Sequence, residues 1–536
     1  MTRTLPGLLA GLLAFACGGD GPMPADASLD AALDAAADAL AAADAAIDGA
    51  ALGDCGPTGG GPHWIEEGEP LSVRVRCATG LELAGDAFVI ANLPDGAAYD
   101  PSRATLDWTP GLDQGGVYDL SIEVPSVAEA GPSRIGVLDR WDDPENVPVV
   151  DPTTYTEEHG LPVFHVETSP ELNHDDYTPA TVTYRGHVYQ AEAKWRGGAS
   201  FGYPKRSYTL KFSEDDPFDD PDRAFLRRRK VTLTTTFDDN SYVRQRLAFE
   251  MWNLFDPGHL QVESFSAVVF VNGEYRGLYA ATDHVDRFLG EAQGLSADCN
   301  LYKAVNHDGN FRLTSSQNGG APKVTLHDGY EKKEGLPPEG EPRAFADLEA
   351  LVEFVATASS FDFQAEIGDR IDQRDYEDWW IFVSFIEADD SAGKNSYHYH
   401  DPAGGPFRVV PWDFNASFGQ DWQSERQGWD ERPEELAWAN ELFARFLDEP
   451  TIGDPLRERY ARVLDGPFAL GEVTDLFDGM AAEVRDAALR DEERWAGEMR
   501  AYPGWSWRED FTTHEEEVEY VRDWLTGRWT FVQGIY

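Results

Sequence analysis

Cysteine is scarce, with four in 536 residues. No Cys/His cluster has the spacing of a zinc site, so a structural zinc is not expected. Basic residues are also few: 44 Lys and Arg stand against 97 Asp and Glu, a formal charge of −53. A field of that sign repels phosphate backbones and anionic surfaces, which argues against nucleic-acid binding. It favours solubility and cationic partners. The apolar stretch near the start, Leu5 to Ala16, is too short to remain as a bilayer-spanning helix. What is present is a globular composition, 42% hydrophobic with 16 Trp. The chain is too long for one ordinary core, so at least two domains are expected.

The beginning reads as an export signal. Arg3 supplies the positive region, Leu5 to Ala16 the apolar core, and Leu13-Ala14-Phe15-Ala16-Cys17 the small residues before a cysteine. This end resembles a bacterial lipoprotein cleavage site, with Ala14 where a branched apolar residue is usual. Residues 1–17 are therefore expected to be a signal, with Cys17 carrying a lipid anchor to the membrane. That places the protein outside the cytoplasm, as an anchored lipoprotein of the bacterial cell envelope or as an extracellular protein. In such a compartment Cys55 and Cys77, which flank one short segment, are the expected disulfide; Cys299 reads as a buried thiol.

Residues 18–60 are rich in Ala and Asp, with Asp26, Asp30, Asp34 and Asp38 four apart and no basic partner. Like charges at that spacing oppose a stable helix, and nothing here can build a core, so the stretch is read as a solvated stalk. Residues 61–125 alternate in short runs between Gly, Pro and Asp turns, the pattern of an all-β module. Leu93-Pro94-Asp95-Gly96, Leu106-Asp107-Trp108-Thr109-Pro110 and Gly116-Val117-Tyr118 resemble a bacterial Ig-like repeat, which implies a small β-sandwich with Trp108 and Tyr118 in its core. Residues 126–147 are read as a linker.

Residues 148–536 form one large α+β unit. Strand patterns come first, at Val163–Val166, Thr181–Tyr184, Ala191–Trp195, Tyr208–Phe212 and Val268–Val271. Ser241–Phe255 has helical spacing, with Leu247, Met251 and Leu254 on one face. Helical patterns dominate later, at Phe345–Ala358, Arg374–Ile386, Leu436–Leu447 and Glu515–Trp529.

The densest chemistry lies between Ile386 and Gly419. Asp390 and Asn395 share a Gly-containing loop, a hairpin follows with its turn at Pro402-Ala403-Gly404-Gly405, and Asp413 ends the return strand. A short hairpin brings its two ends together, so Asn395 and Asp413 should lie side by side. A carboxylate to orient a hydroxyl, with oxygen ligands for Mg2+ nearby, is what phosphoryl transfer needs. By itself the spacing is weakly specific, because Asp and Asn also serve as ordinary turn residues.

Further blocks carry a resemblance. They are Lys194-Trp195-Arg196-Gly197-Gly198, Lys205-Arg206-Ser207-Tyr208-Thr209-Leu210-Lys211-Phe212, Phe237-Asp238-Asp239-Asn240-Ser241-Tyr242-Val243-Arg244, Val271-Asn272-Gly273-Glu274-Tyr275-Arg276-Gly277-Leu278-Tyr279, Asn300-Leu301-Tyr302-Lys303 and Pro411-Trp412-Asp413. In order and spacing, residues 148–536 resemble the spore-coat protein H (CotH) family of atypical protein kinases. The resemblance implies a two-lobed kinase-like fold that uses ATP and Mg2+ or Mn2+ to phosphorylate Ser or Thr of surface or secreted proteins. It implies Asp390 as the catalytic carboxylate, with Asp389 as competitor, and Asn395, Asp413 and Asn415 as metal ligands. Lys303, Arg196 and Lys205 are the candidates for the nucleotide phosphates; Tyr302 and Trp412 read as packing residues. The chain departs from the family pattern at Gly198-Ala199, at Asn415 in place of a carboxylate, and at Asp283 in place of Glu. The Ig-like module, the stalk and the Asn415 departure favour an alternative, a catalytically silent protein of surface assembly or adhesion. A carbohydrate hydrolase ranks last, since carboxylate pairs are too common in so acidic a chain to be a signal.

Overall fold

The computed structural model describes residues 55–60, 62–111, 114, 116–125, 129–138, 150–169, 171–505 and 511–536. The expected signal, Cys17 and most of the stalk lie outside the described residues. The chain divides into two compact units, Met1–Asn146 and Val147–Tyr536.

The first unit is β-rich. One sheet runs in the order His63–Glu66, Glu129–Leu138, Gly116–Val124, Val89–Ala91; a second runs Leu71–Arg74, Thr105–Trp108, Ala98–Asp100. Alternation along the strands sends Ile65, Leu120, Ile135 and Val137 of the first sheet into one core with Val73, Leu106 and Trp108 of the second. The Tyr118 ring meets Trp108 edge-on at 4.8 Å. Two boundaries differ from expectation. Glu129–Leu138, within the stretch read as linker, is a strand that pairs along the whole of Gly116–Val124 and buries Ile135 and Val137. Residues 55–60, read as stalk, belong to this unit: Cys55 is disulfide-bonded to Cys77, and Pro57–Thr58 pair with Arg76–Cys77.

In the second unit the strands Leu161–Thr168, Thr178–Tyr184, His187–Arg196, Ser207–Phe212, Lys230–Thr235, Glu274–Asp283 and Ser264–Val271 pair in that order. The last pairs back onto the first in parallel, with Val163 opposite Val268, so the sheet closes into a ring. Inward residues such as Phe164, Val182, Leu210, Phe212, Leu233 and Val269 fill it as a packed core rather than a channel. Outward residues of the closing pair, Val163, Val268 and Phe270, join the larger core formed by the helices.

Among those helices are Arg244–Phe255, Ala346–Thr357, Gln373–Ile386 and His514–Gln533, close to the predicted spans. Leu254 is not on the buried face; it is 57% exposed, and Phe249, Trp252 and Phe255 carry the contact with Leu247 and Met251. The stretch predicted as one helix over 436–447 is broken at Asn440, which caps Glu441–Asp448 through its side chain. The 31-residue helix Leu470–Arg500 was not expected; it packs across the strand Glu274–Asp283. Among the described residues no helix is long and apolar enough to cross a membrane.

A smaller antiparallel sheet positions the site. Its order is Tyr330–Glu334, Asn300–Ala304, Ser396–His400, Arg408–Pro411. The last two strands are the predicted hairpin.

Candidate functional site

Both ends of that hairpin are pinned by backbone hydrogen bonds. Asn395 N–H donates to Ala304 O at 2.9 Å, and Trp412 N–H donates to Asn395 O at 2.8 Å. Asn395 and Asp413 both adopt left-handed backbone, with φ of 57° and 70°. Asn and Asp tolerate that conformation better than most residues, and such strain collects at functional sites. The Ser391 hydroxyl donates to Asp413 O at 2.8 Å, which ties the Asp390 loop to the far end of the hairpin.

Around this frame the predicted residues converge. The Asn395 amide donates to the Asp390 carboxylate. Lys394, which sequence reasoning passed over, places its ammonium 2.7 Å from the other Asp390 oxygen. His307 lies 3.9 Å from that oxygen. Lys303 is opposite Tyr397 in the strand register, its ammonium 5.4 Å from that ring centre. Among the described residues it has no hydrogen-bond or ion-pair partner. Arg196 ends its barrel strand with its guanidinium 5.8 Å from the Trp412 ring and 3.5 Å from the Thr234 hydroxyl.

Burial first, and the Asp390 charge second, push the Asp413 carboxyl above its ordinary range, while Lys303, Arg196 and Lys394 pull it the other way. For Asp389, burial, Glu431 and Asp390 push the carboxyl up to about 6, against the pull of Arg528. That environment leaves Asp390 as the carboxylate on the Asn395 side.

Of the predicted site residues, Lys205 falls into different surroundings. Lys205 is fully buried, and its three donors go to Thr236 Oγ1 (3.0 Å), Leu278 O (2.7 Å) and Asp491 Oδ1 (2.6 Å). It has no donor left for a phosphate; it joins the barrel to the long helix. Gly277 is the counterpart, since any Cβ there would collide with Asp491. Asn415 lies beyond Asp413 and donates to Asp238 Oδ2 at 2.8 Å. Tyr302 packs as expected, with its hydroxyl 2.5 Å from Asp347, and Trp412 packs against Phe249 and Tyr397. Asp283 is buried and paired with Arg228 at 2.5 Å.

Asp238, in the Phe237–Arg244 block, is a buried carboxylate to which the sequence pattern assigns no role. Burial and Asp239 push its carboxyl up to about 6, against hydrogen bonds from Asn415 and Tyr203. With Asn415 and Thr234–Thr236 it lines a small, water-sized cavity.

The donor set suits a hard divalent cation. Because Asn395 and Asn415 both use Nδ2 toward carboxylates, each leaves Oδ1 without a donor, and among the described residues the Asp413 carboxylate accepts no hydrogen bond. Oxygen-only ligands are what Mg2+ and similar ions require. Elsewhere Asp256, His259 and Asp378 also converge. There Arg374 and Arg459 already pair with Asp378, which makes that cluster an ion-pair network.

The chain is similar to the protein named inner spore coat protein H of Bacillus subtilis (strain 168), 26% identical over 325 residues, which cover 61% of this chain and 85% of that one. Residues 193–532, which hold the barrel strands from Ala193 onward, the hairpin and the helices, match the family described as "CotH kinase protein". The chain belongs to the CotH kinase family.

Proposed function

We propose that this protein transfers the γ-phosphoryl group of ATP to Ser or Thr hydroxyls of surface or secreted proteins. Membership of a kinase family implies ATP and a phosphoryl acceptor. The observation that carries the reading is the Asp413 carboxylate at the end of the hairpin, beside the Asp390–Asn395 loop: among the described residues it accepts no hydrogen bond, and the charges of Lys303, Arg196 and Lys394 favour its ionised form. A half-buried carboxylate with no donor among the described residues is open to a cationic ligand.

Asp390 accepts the proton of the attacking hydroxyl as the new O–P bond forms and the bond to ADP breaks. Asn395 fixes the Asp390 carboxylate in place. Lys303 and Arg196 face the phosphate oxygens and stabilise their charge. Asp413, with the Asn395 and Asn415 carbonyls, would hold a divalent metal. Such a metal, when bound, neutralises triphosphate charge. The barrel and the helical half would serve as the two lobes.

Export is part of the proposal. It is supported by Arg3, the run Leu5–Ala16 and Cys17, and by the Cys55–Cys77 disulfide, a bond that persists in oxidising compartments. The β-rich unit would then act as an Ig-like module presenting the kinase outside the cytoplasm.

Purified protein incubated with γ-labelled ATP, Mg2+ or Mn2+ and a Ser/Thr-containing acceptor is expected to transfer label. Label that persists unchanged in Asp390→Ala and Asp413→Ala would sink the reading. Asn415, in place of a carboxylate, favours the second reading, a silent protein of surface assembly or adhesion. That reading predicts no rise in melting temperature on adding ATP and metal.

A further inference from the structure

We infer that Asp238 is a positioning residue, which orients the Asn415 carboxamide so that its oxygen, not its nitrogen, faces the metal that Asp413 would hold. The inference rests on the phosphoryl-transfer reading. It starts from a difference in chemistry: an ionised carboxylate only accepts hydrogen bonds, whereas the nitrogen end of a carboxamide only donates. Asn415 Nδ2 stands 2.8 Å from Asp238 Oδ2, so one orientation of the amide is favoured and the flipped one sets oxygen against oxygen. Oδ1 is thereby directed away from Asp238.

Asp238 is itself held firmly. It is 4% exposed. Its backbone carbonyl accepts from Gln420 Nε2 at 3.0 Å and from Ser424 Oγ at 2.9 Å, and its carboxylate also accepts from the Tyr203 hydroxyl at 3.2 Å. Gln420 Nε2 reaches Asn415 O as well, at 2.7 Å, so the backbones of both partners share one clamp. The negative charge missing from residue 415 therefore sits one hydrogen bond behind it. Carboxylates behind first ligands set ligand orientation, and their loss commonly weakens metal binding 10–100-fold.

The pair can be reversed. In Asp238→Asn with Asn415→Asp, the amide is on 238 and donates to a carboxylate on 415, so shape and net charge are kept. Calorimetry of ATP binding with and without Mn2+, and melting of the ligand-free protein, separate the cases. Asp238→Asn alone is expected to lower metal-dependent ATP affinity roughly 10–100-fold, with metal-free ATP binding unchanged. Asn415→Asp alone is expected to weaken it too, despite the added carboxylate, because two carboxylates then oppose each other across one hydrogen-bond length. The double variant is expected to recover most of the loss. Unchanged affinity in Asp238→Asn, tighter metal binding in Asn415→Asp alone, or no recovery in the double variant each overturns the inference while leaving the kinase reading intact. If Asp238→Asn does not fold, the other two variants still decide. A wild-type protein without metal-dependent ATP binding overturns the kinase reading and this inference with it.

Discussion

The side-chain amide of Asn395 donates to both the carboxylate and the backbone carbonyl of Asp390, at 2.9 and 3.1 Å. One residue thus fixes the proton acceptor while its own backbone sits at φ 57° at the start of the hairpin. Two functions meet at this position, one of the side chain and one of the backbone, and substitution can separate them.

Asn395→Ala removes the amide and adds a left-handed penalty of about 1 kcal/mol, on top of about 1.5–3 kcal/mol for a hydrogen bond to a charged group. Asn395→Gly removes the amide but accepts the backbone freely. Both are expected to lose phosphoryl transfer by about two orders of magnitude or more, whereas denaturant melting should show Gly the more stable. Equal stability would mean that the left-handed backbone imposes no strain.

The two lysines proposed for the phosphates are expected to behave in opposite ways. Lys303→Met removes an ammonium that has no hydrogen-bond or ion-pair partner among the described residues and only the Tyr397 ring beside it, so ATP affinity should fall with little change in melting. Lys205→Met leaves the buried Asp491 carboxylate without its ammonium, and breaking such a pair costs about 3–5 kcal/mol. Chemical denaturation and ATP calorimetry on the two variants check this. A Lys205→Met protein as stable as wild type would contradict the assignment.

This contrast shows what the sequence could reveal. Asn395 and Asp413 were legible as neighbours because a hairpin with a Pro402–Gly405 turn is a local structure. Lys205 was not, because its role is set by Asp491, 286 residues away. Asp238 was legible as part of a motif, but its partner Asn415 is 177 residues on. Ring closure likewise depends on the pairing of Leu161–Thr168 with Ser264–Val271, distant in sequence. The helix Leu470–Arg500 was missed because Val473, Phe477, Met480 and Val484 are diluted by Ala and charged residues, which blurs the apolar stripe.

Acid titration should show a signature of Glu263. Burial first, then Asp283 and Glu250, push its carboxyl up to about 7, against Arg228. The folded state holds this proton more tightly than the unfolded chain, so stability is lost as pH rises from the unfolded value near 4.5 through about 7. Glu263→Gln, neutral at every pH, is expected to match wild type at pH 4 and to exceed it at pH 8 by on the order of 1 kcal/mol, allowing for solvent screening. Urea melts at the two pH values measure the difference. A variant less stable at pH 8 than at pH 4, by as much as wild type, would place the penalty elsewhere.

A buried guanidinium also helps to hold the segment beyond Asp413. Arg244, with no exposed surface, donates to Asp239 at 2.7 Å, to Glu517 at 2.6 Å, and to the carbonyls of Ser417 and Phe418 at 3.1 and 3.4 Å. Burial pushes the Glu517 carboxyl up, yet Arg244 and Arg426 hold it well below the usual carboxylate range. The start of one helix, the segment after the hairpin and the C-terminal helix therefore share a single planar fork, which a lysine ammonium cannot reproduce. Arg244→Lys is expected to cost about 3 kcal/mol or more in denaturant melts, the scale for a broken buried pair. Its second effect separates a local clamp from general packing: residues 417–418 lie four and five positions past Asp413, so under conditions where the variant stays folded its metal-dependent ATP affinity should fall as well. A variant that is destabilised but binds ATP and metal as wild type does would show that Arg244 supports the core without positioning Asp413.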